Sequence, residues 1–233
     1  MNKELGFIKD MFDRIAPKYD FLNRLLSLGR DIVWRTEMVR AARLKKNCRI
    51  LDVACGTCDV ALEAGSQLQG QTRIFGLDFS FGMLALGKGK LIKQNNKTIT
   101  LINGDALCLP FRKEIFDAVF IAFGIRNIMD RKGALSEFLF VLKKEGRLAV
   151  LELTTPEKGI LRTFYLLYFR RLLPMIGSFF SKDQNAYQYL PESVLKFPTP
   201  LEFASVMKKA GFKDIRFKQM TFGIVTLFTG VKS

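Results

Sequence analysis

Residues 50–61 read ILDVACGTCDVA. An apolar run ends in Asp52, a turn places Gly56 between Cys55 and Cys58, and a helical pattern resumes at Asp59. Two readings compete. A Cys-x-x-Cys pair ahead of a helix fits a thiol–disulfide centre, whose first cysteine must be a low-pKa thiolate. A glycine turn that closes a strand and opens a helix fits a loop holding a cofactor against the end of a β-strand. Zinc would need four ligands, but Cys48 and Cys108 stand alone and the chain has no histidine, so no metal is expected.

Outward from this loop, short apolar runs alternate with helix-length segments. Strands are expected at 49–54, 73–78, 99–105, 116–123, 146–153, 215–221 and 224–232. The first five are nearly continuous hydrophobic runs, as buried parallel strands are. Only Phe222 and Gly223 separate the last two, too few residues for a crossover, so these form an antiparallel hairpin. Upstream, apolar residues of 7–45 recur at helical spacing, from Phe12 and Ile15 to Trp34 and Met38. Pro17 and the Ser27–Gly29 stretch are expected to break them into two or three short helices. No repeat or linker interrupts the 233 residues, and one domain is expected. Its parts are a helical cap (1–45), a cofactor-binding core (46–155), a substrate-side insertion (156–200) and a C-terminal helix and hairpin (201–233).

The composition narrows the chemistry. Without histidine there is no Ser-His-Asp or Cys-His system and no imidazole base, so proton transfer falls to carboxylate, tyrosine, lysine, cysteine or water. The net charge of +15 fits a polyanionic neighbour, either nucleic acid or an acidic membrane face. The first residues carry charges where a signal peptide would be apolar, and no window approaches the roughly 20 apolar residues that span a bilayer. A cytoplasmic protein with reduced thiols is expected. Residues 160–180, ILRTFYLLYFRRLLPMIGSFF, are too charged to span a membrane and suit an amphipathic element over a greasy cleft or on a bilayer surface.

Three consecutive strands each deliver a carboxylate to the C-terminal edge of the sheet: Asp52, Asp78 and Asp105. Ligands of open α/β sheets bind along that edge. An acid ending the second strand bonds well with ribose hydroxyls, and an acid-lined cleft suits a cation. A pyrophosphate loop would carry G-x-G-x-x-G, whereas only Gly56 is in place here. The sulfonium and ribose of S-adenosylmethionine therefore fit better than a nicotinamide dinucleotide. The hairpin agrees, because an antiparallel last strand is the class I methyltransferase variation on the doubly wound, seven-stranded α/β sheet. A dithiol oxidoreductase becomes the weaker reading of CGTC.

Six segments then become specific: MFDRIAPKYDFLNRLLSLGRDIVWR (11–35), ILDVACGTCDVA (50–61), GLDFSFGML (76–84), GDALCLPF (104–111), FDAVFIAFGIRNIMD (116–130) and LAVLELTTP (148–156). Together with LLPMIGSFFSKDQNAYQYLPESVLKFP (172–198), they resemble the menaquinone and ubiquinone biosynthesis C-methyltransferases over nearly the whole chain. That family usually has glycine where Cys58 stands. It also differs at Phe140, Lys144 and Glu145 and after Glu152, at Leu153 and Thr154. Cys58 is expected to take an ordinary φ, with its small side chain beside the cofactor's methionine portion.

The resemblance implies methylation of a ring carbon of a polyprenylated hydroquinone, demethylmenaquinol and in many members a ubiquinone precursor as well, with S-adenosylmethionine as cofactor. It implies Asp78 at the ribose, Asp105 and Ala106 at the adenine, and Gly56 and Thr57 along the methionine moiety. Asp52 would orient the amino group, and Ala122 would lie beside the cofactor. Arg126 and Asn127 would face the substrate, Arg126 stabilising a phenolate. Tyr19, Asp20 and Asp130 are the candidates for moving a proton. Transient docking to an anionic membrane at the inner face is expected, a homodimer is open, and no nucleic-acid partner is expected. The rival readings are an RNA methyltransferase, suggested by the charge, and a quinone- or lipid-binding protein that keeps the fold without transferring methyl groups.

Overall fold

A computed structural model describes residues 3–69, 72–156 and 184–233. Seven strands form one sheet in the order β3-β2-β1-β4-β5-β7-β6. They are β1 (Arg49–Val53), β2 (Arg73–Asp78), β3 (Ile99–Asn103), β4 (Phe116–Ala122), β5 (Leu142–Leu153), β6 (Lys213–Met220) and β7 (Val225–Val231). The first five are mutually parallel, and β7 runs antiparallel to both of its neighbours, β5 and β6. The helices are α1 (Lys3–Leu26), α2 (Arg30–Ala41), α3 (Asp59–Gln67), α4 (Phe81–Lys93), α5 (Arg131–Val141), α6 (Gln184–Leu195) and α7 (Pro200–Lys209).

The central strands are buried on both faces, which is why they read as unbroken apolar runs. Ile50, Leu51 and Val53 of β1 and Ala118–Ile121 of β4 are fully enclosed. On one face, Trp34 and Met38 of α2 and Ala61 and Ala64 of α3 pack against Ile50, Phe120 and Leu151. On the other, Leu135 and Phe138 of α5 and Phe203 and Met207 of α7 cover Leu51, Val119 and Leu148. Helix α7 starts cleanly: Pro200 follows the N-cap Thr199, which exchanges hydrogen bonds with Glu202 in a capping box.

Two expectations change. Strand β5 begins at Leu142, which pairs with Phe116, rather than at Gly146. Pro17 does not end a helix, because α1 runs unbroken through it to Leu26. A helix-interior proline costs about 3 kcal/mol, and tertiary docking outweighs it: Met11, Ala16 and Leu22 are buried, and acids on both sides of Pro17 are bonded to other elements. The break comes at Ser27–Gly29, where Leu28 and Gly29 adopt φ of 52° and 75°. The segment 160–180 lies outside the described residues.

Candidate functional site

The strand order fixes the place. After β1 the chain moves outward to β2 and β3, then returns to the other side of β1 as β4. At such a reversal the loops following the two central strands diverge and leave a crevice at the C-terminal edge. A cleft of about 810 Å³, counting its open mouth, lies there.

One wall is the loop after β1. Ala54, Gly56 and Cys58 take φ of 52°, 53° and 73° in alternation, so the chain turns sharply before α3. The loop is pinned by Cys55 N–H to Leu77 O (3.0 Å), Cys58 N–H to Cys55 O (2.8 Å) and Gly56 N–H to Asp78 Oδ2 (2.8 Å). Across from it, the turn after β4 forms the floor of the cleft. There a Cβ on Gly124 would lie 2.7 Å from Cβ of Ala54, so only glycine lets the two loops approach. Helix α1 roofs the space with Ile8, Phe12 and Tyr19, and Asp105 and Ala106 line the far end beyond β3.

The carboxylates at the strand ends are not equivalent. Asp78 lines the cleft; its Oδ1 accepts from Ser80 N–H and its Oδ2 from Gly56 N–H. Burial raises its pKa to about 6, against those two hydrogen bonds. A carboxylate offers about four lone-pair positions, so both oxygens can still accept hydroxyls. Asp52 sits behind the wall. Burial pushes its pKa to about 8, Oδ2 accepts from Ala61 N–H at 3.2 Å, and Oδ1 has no hydrogen-bond partner among the described residues. A buried acceptor without a donor is costly. On the strand that carries the glycine loop, it fits a ligand bearing an ammonium.

Gly56, Asp78, Asp105, Ala106 and Ala122 thus border one cleft, together with Tyr19 and Asn127. Tyr19 is half-buried on the cleft wall, and desolvation raises the pKa of its phenol above the ordinary value. Asn127 sits in the 3-10 turn Ile125–Asn127 and accepts a hydrogen bond from Tyr189 Oη of α6 at 3.1 Å.

The remaining predicted residues are engaged elsewhere. Thr57 points away from the cleft toward Asp20, donating to it at 2.6 Å, and Asp20 also pairs with Lys90 at 2.6 Å. Asp130 is exposed and caps α5 by accepting from Gly133 N–H at 2.8 Å. Arg126 is buried behind the turn. It pairs with Glu152 at 2.8 Å, donates to Phe123 O and reaches Ser193 Oγ at 3.4 Å. Its charge holds the turn in shape rather than facing the open space.

Cys58 departs from expectation, since its φ of 73° is left-handed rather than ordinary. Its thiol turns from the cleft toward α4, where a Cβ on Gly87 would come within 2.5 Å of Sγ. The hydrogen bond with Cys58, followed by burial, drives the Cys55 thiol well above its ordinary pKa. With both thiols also buried, the loop does not present the accessible thiolate that a redox centre needs, and the structure does not favour the redox reading of CGTC.

Sequence reasoning passed over Glu152, Lys90 and Asp13. Glu152 could have been found, because an acid inside the apolar run LAVLEL must be buried with a partner.

A model of the ubiE/COQ5 methyltransferase family matches residues 1–232. The chain is 48% identical over 226 residues to the ubiquinone/menaquinone biosynthesis C-methyltransferase UbiE of Geobacter sulfurreducens, covering 97% of this chain and 88% of that protein. It is 44% identical to the demethylmenaquinone methyltransferase of Thermus thermophilus, over 94% of this chain and 99% of the relative. Among solved structures, an S-adenosylmethionine-dependent methyltransferase of Thermotoga maritima superposes with a TM-score of 0.67 at 18% identity, covering 97% of this chain and 99% of that one. An S-adenosylmethionine-dependent methyltransferase of Aquifex aeolicus superposes at 0.64, with 15% identity, over 85% and 89% of the two chains. The fold is that of the S-adenosylmethionine-dependent methyltransferases, and with a family match running from end to end around this cleft, the chain belongs to the ubiE/COQ5 methyltransferase family.

Proposed function

We propose that the protein methylates a ring carbon of a polyprenylated hydroquinone, converting demethylmenaquinol to menaquinol. The observation that carries the proposal is the cleft itself: its cofactor-side acids and its substrate-side Tyr19 and Asn127 share one wall system. Asp78 would hold the ribose, Asp105 and Ala106 the adenine, and the unpartnered Oδ1 of Asp52 the amino group. Bound S-adenosylmethionine supplies an electrophilic methyl group on a sulfonium.

The protein's part is alignment and exclusion of water, which can contribute many orders of magnitude to a displacement. Ile8 and Phe12 of α1, with Met129 opposite, give the cleft an apolar substrate side. Tyr19, kept protonated by burial, would donate a hydrogen bond to the phenolate oxygen formed when the quinol hydroxyl gives up its proton, the form whose ring carbon attacks the methyl group. The hydroxyl proton would leave to water at the mouth, because Asp20 and Asp130 are occupied as described. As the new C–C bond forms the C–S bond breaks to leave S-adenosylhomocysteine, and the hydrogen on the methylated carbon then departs as a proton through water, with a proton returning to the oxygen to restore the aromatic quinol. Tyr19→Phe is therefore expected to lower turnover by about 10²-fold while S-adenosylhomocysteine affinity stays unchanged.

Met129 on the wall is 62% exposed and Phe7 beside Ile8 is 41% exposed, an apolar rim suited to a prenyl tail. No helix among the described residues is long and apolar enough to cross a membrane. With a net charge of +15, the protein would dock transiently on anionic lipid to admit its substrate. Co-sedimentation with anionic but not neutral vesicles, reversed by salt, is the expected result.

The decisive assay supplies labelled S-adenosylmethionine with a short-tailed demethylnaphthoquinol, its oxidised quinone, and bulk RNA in parallel. Label in the quinol alone supports the proposal. Label in RNA alone contradicts it.

A further inference from the structure

Helix α1 is tied down on the flank away from its cleft-facing residues. Asp13 Oδ1 accepts from Ser80 Oγ at 2.5 Å and from Gly82 N–H at 3.0 Å, at the start of α4. Seven residues on, two turns along the same side of the helix, Asp20 meets Lys90 from near the other end of α4. The Lys90 ammonium lies 2.6 Å from Asp20 Oδ2, 2.6 Å from Asp59 Oδ1 and 2.9 Å from Thr57 Oγ1. Thr57 Oγ1 in turn donates to Asp20 Oδ1 at 2.6 Å, closing the ring. An ammonium has three donors and no acceptor, and here each donor reaches a different segment: the roof helix, the glycine loop and the first turn of α3.

Asp59 Oδ2 also faces Arg35 of α2 at 3.5 Å and, more distantly, Arg24 of the roof helix at 3.9 Å. We infer that Lys90 is a positioning residue whose cation clasps the roof helix to the glycine loop, coupling closure of the cleft to the shape of the loop around Gly56. The sheet does not require this contact. The Lys90, Asp20 and Asp59 side chains are 25%, 36% and 21% exposed, in a half-solvated cluster outside both hydrophobic faces. The clasp also explains why Asp20 stands beside Tyr19 without entering the cleft: Tyr19 is delivered to the wall by the residue that anchors its helix. The inference rests on the cofactor site proposed above.

The test is amide exchange by mass spectrometry with and without S-adenosylhomocysteine, on wild type, Lys90→Met, Asp20→Asn and the double variant. Lys90→Met keeps the aliphatic stem and removes the charge. Amides of residues 12–20 are expected to exchange about threefold to fivefold faster in this variant, with β4 and β5 unchanged. S-adenosylhomocysteine should bind about tenfold more weakly, and the double variant should be no worse than Lys90→Met alone, as members of one cluster are non-additive. Unchanged α1 exchange in Lys90→Met would overturn the clasp. So would additive effects of the two substitutions, or an Asp20→Asn that lowers turnover while leaving affinity and α1 exchange intact. Because exchange is read without ligand, failure of wild type to bind S-adenosylhomocysteine would count against the cofactor reading alone.

Discussion

Two cations flank the cleft, and the protein treats them oppositely. Arg126 pairs with Glu152 beneath the turn that forms the floor; their side chains are 7% and 0% exposed. Glu152 also accepts from the backbone N–H groups of Arg126 and Leu153, so every charge-bearing oxygen is bonded. Lys90 holds the roof from a half-solvated position, in contact with salt and water. A desolvated pair contributes little over an apolar substitute, yet removing one partner is severe because the other is left charged in the interior. An exposed pair can be broken and remade cheaply. The floor, which must keep Ala122 and Asn127 in register with the strands, is therefore built once on folding. The roof, which must admit ligand, is fastened by a contact that can open.

The comparison breaks most visibly at Glu152. Glu152→Ala should destabilise the protein by about 3–5 kcal/mol, read as a shift of the urea midpoint, whereas Lys90→Met should shift it by less than about 1 kcal/mol. Equal losses would mean that the two clasps do not differ in kind.

The junction between loop and helix α4 comes next. A Cβ on Gly87 would collide with Cys58 Sγ, so Gly87→Ala should cost about 1–3 kcal/mol. Adding Cys58→Gly should recover most of that, since it removes the sulfur and also relieves a left-handed non-glycine residue. Strict additivity in this double-mutant cycle would show that the two positions do not touch.

Acidity probes the glycine-loop wall, where the strand-end acids Asp52 and Asp78 are buried with raised pKa. Folding raises Asp78 to about 6 and Asp52 to about 8, so the folded chain holds more protons than the unfolded one above pH 4. The stability these carboxyls lend is complete below about pH 4 and is lost as pH rises, through about 6 for Asp78 and about 8 for Asp52. A bound cation favours their ionised forms and expels those protons. S-adenosylhomocysteine, which keeps the ammonium, should thus bind about tenfold more tightly at pH 8 than at pH 6, with proton release measurable by calorimetry in buffers of different ionisation enthalpy. Asp52→Asn should flatten the dependence.

Salt gives the smallest effect. Between low ionic strength and 0.5 M, exchange of α1 amides should rise about twofold to threefold, while amides of the 125–127 turn stay fixed.

These contrasts also mark what could be read from residues alone. All seven strands were legible, since doubly buried strands must be continuous apolar runs and a two-residue gap forces a hairpin. The Asp52–Gly56–Asp78–Asp105 edge was legible for the same reason: strand ends locate it. What escaped depends on partners distant in sequence. Pro17 signals a helix end locally, and only the docking of α1 on the glycine loop and α4 overrides it. Cys58 looks like a cofactor contact until Gly87 is placed opposite its thiol. Asp130 followed by Arg-Lys-Gly at the start of a helical pattern already carried an N-cap signal, and the cap is what the structure displays. Lys90 sits in a run of four lysines that resembles a solvated face, and nothing in the run distinguishes the one that closes the roof.

The most direct test of the central claim is the position of the transferred methyl group. S-adenosylmethionine carrying a ¹³C-methyl would be turned over with the demethylnaphthoquinol, and the purified product examined by ¹³C NMR. An enriched aryl-methyl resonance on the quinone ring, absent when the oxidised quinone is supplied, is the predicted result. An enriched methoxy resonance, or equal labelling of quinol and quinone, would contradict attack by an electron-rich ring carbon in this cleft.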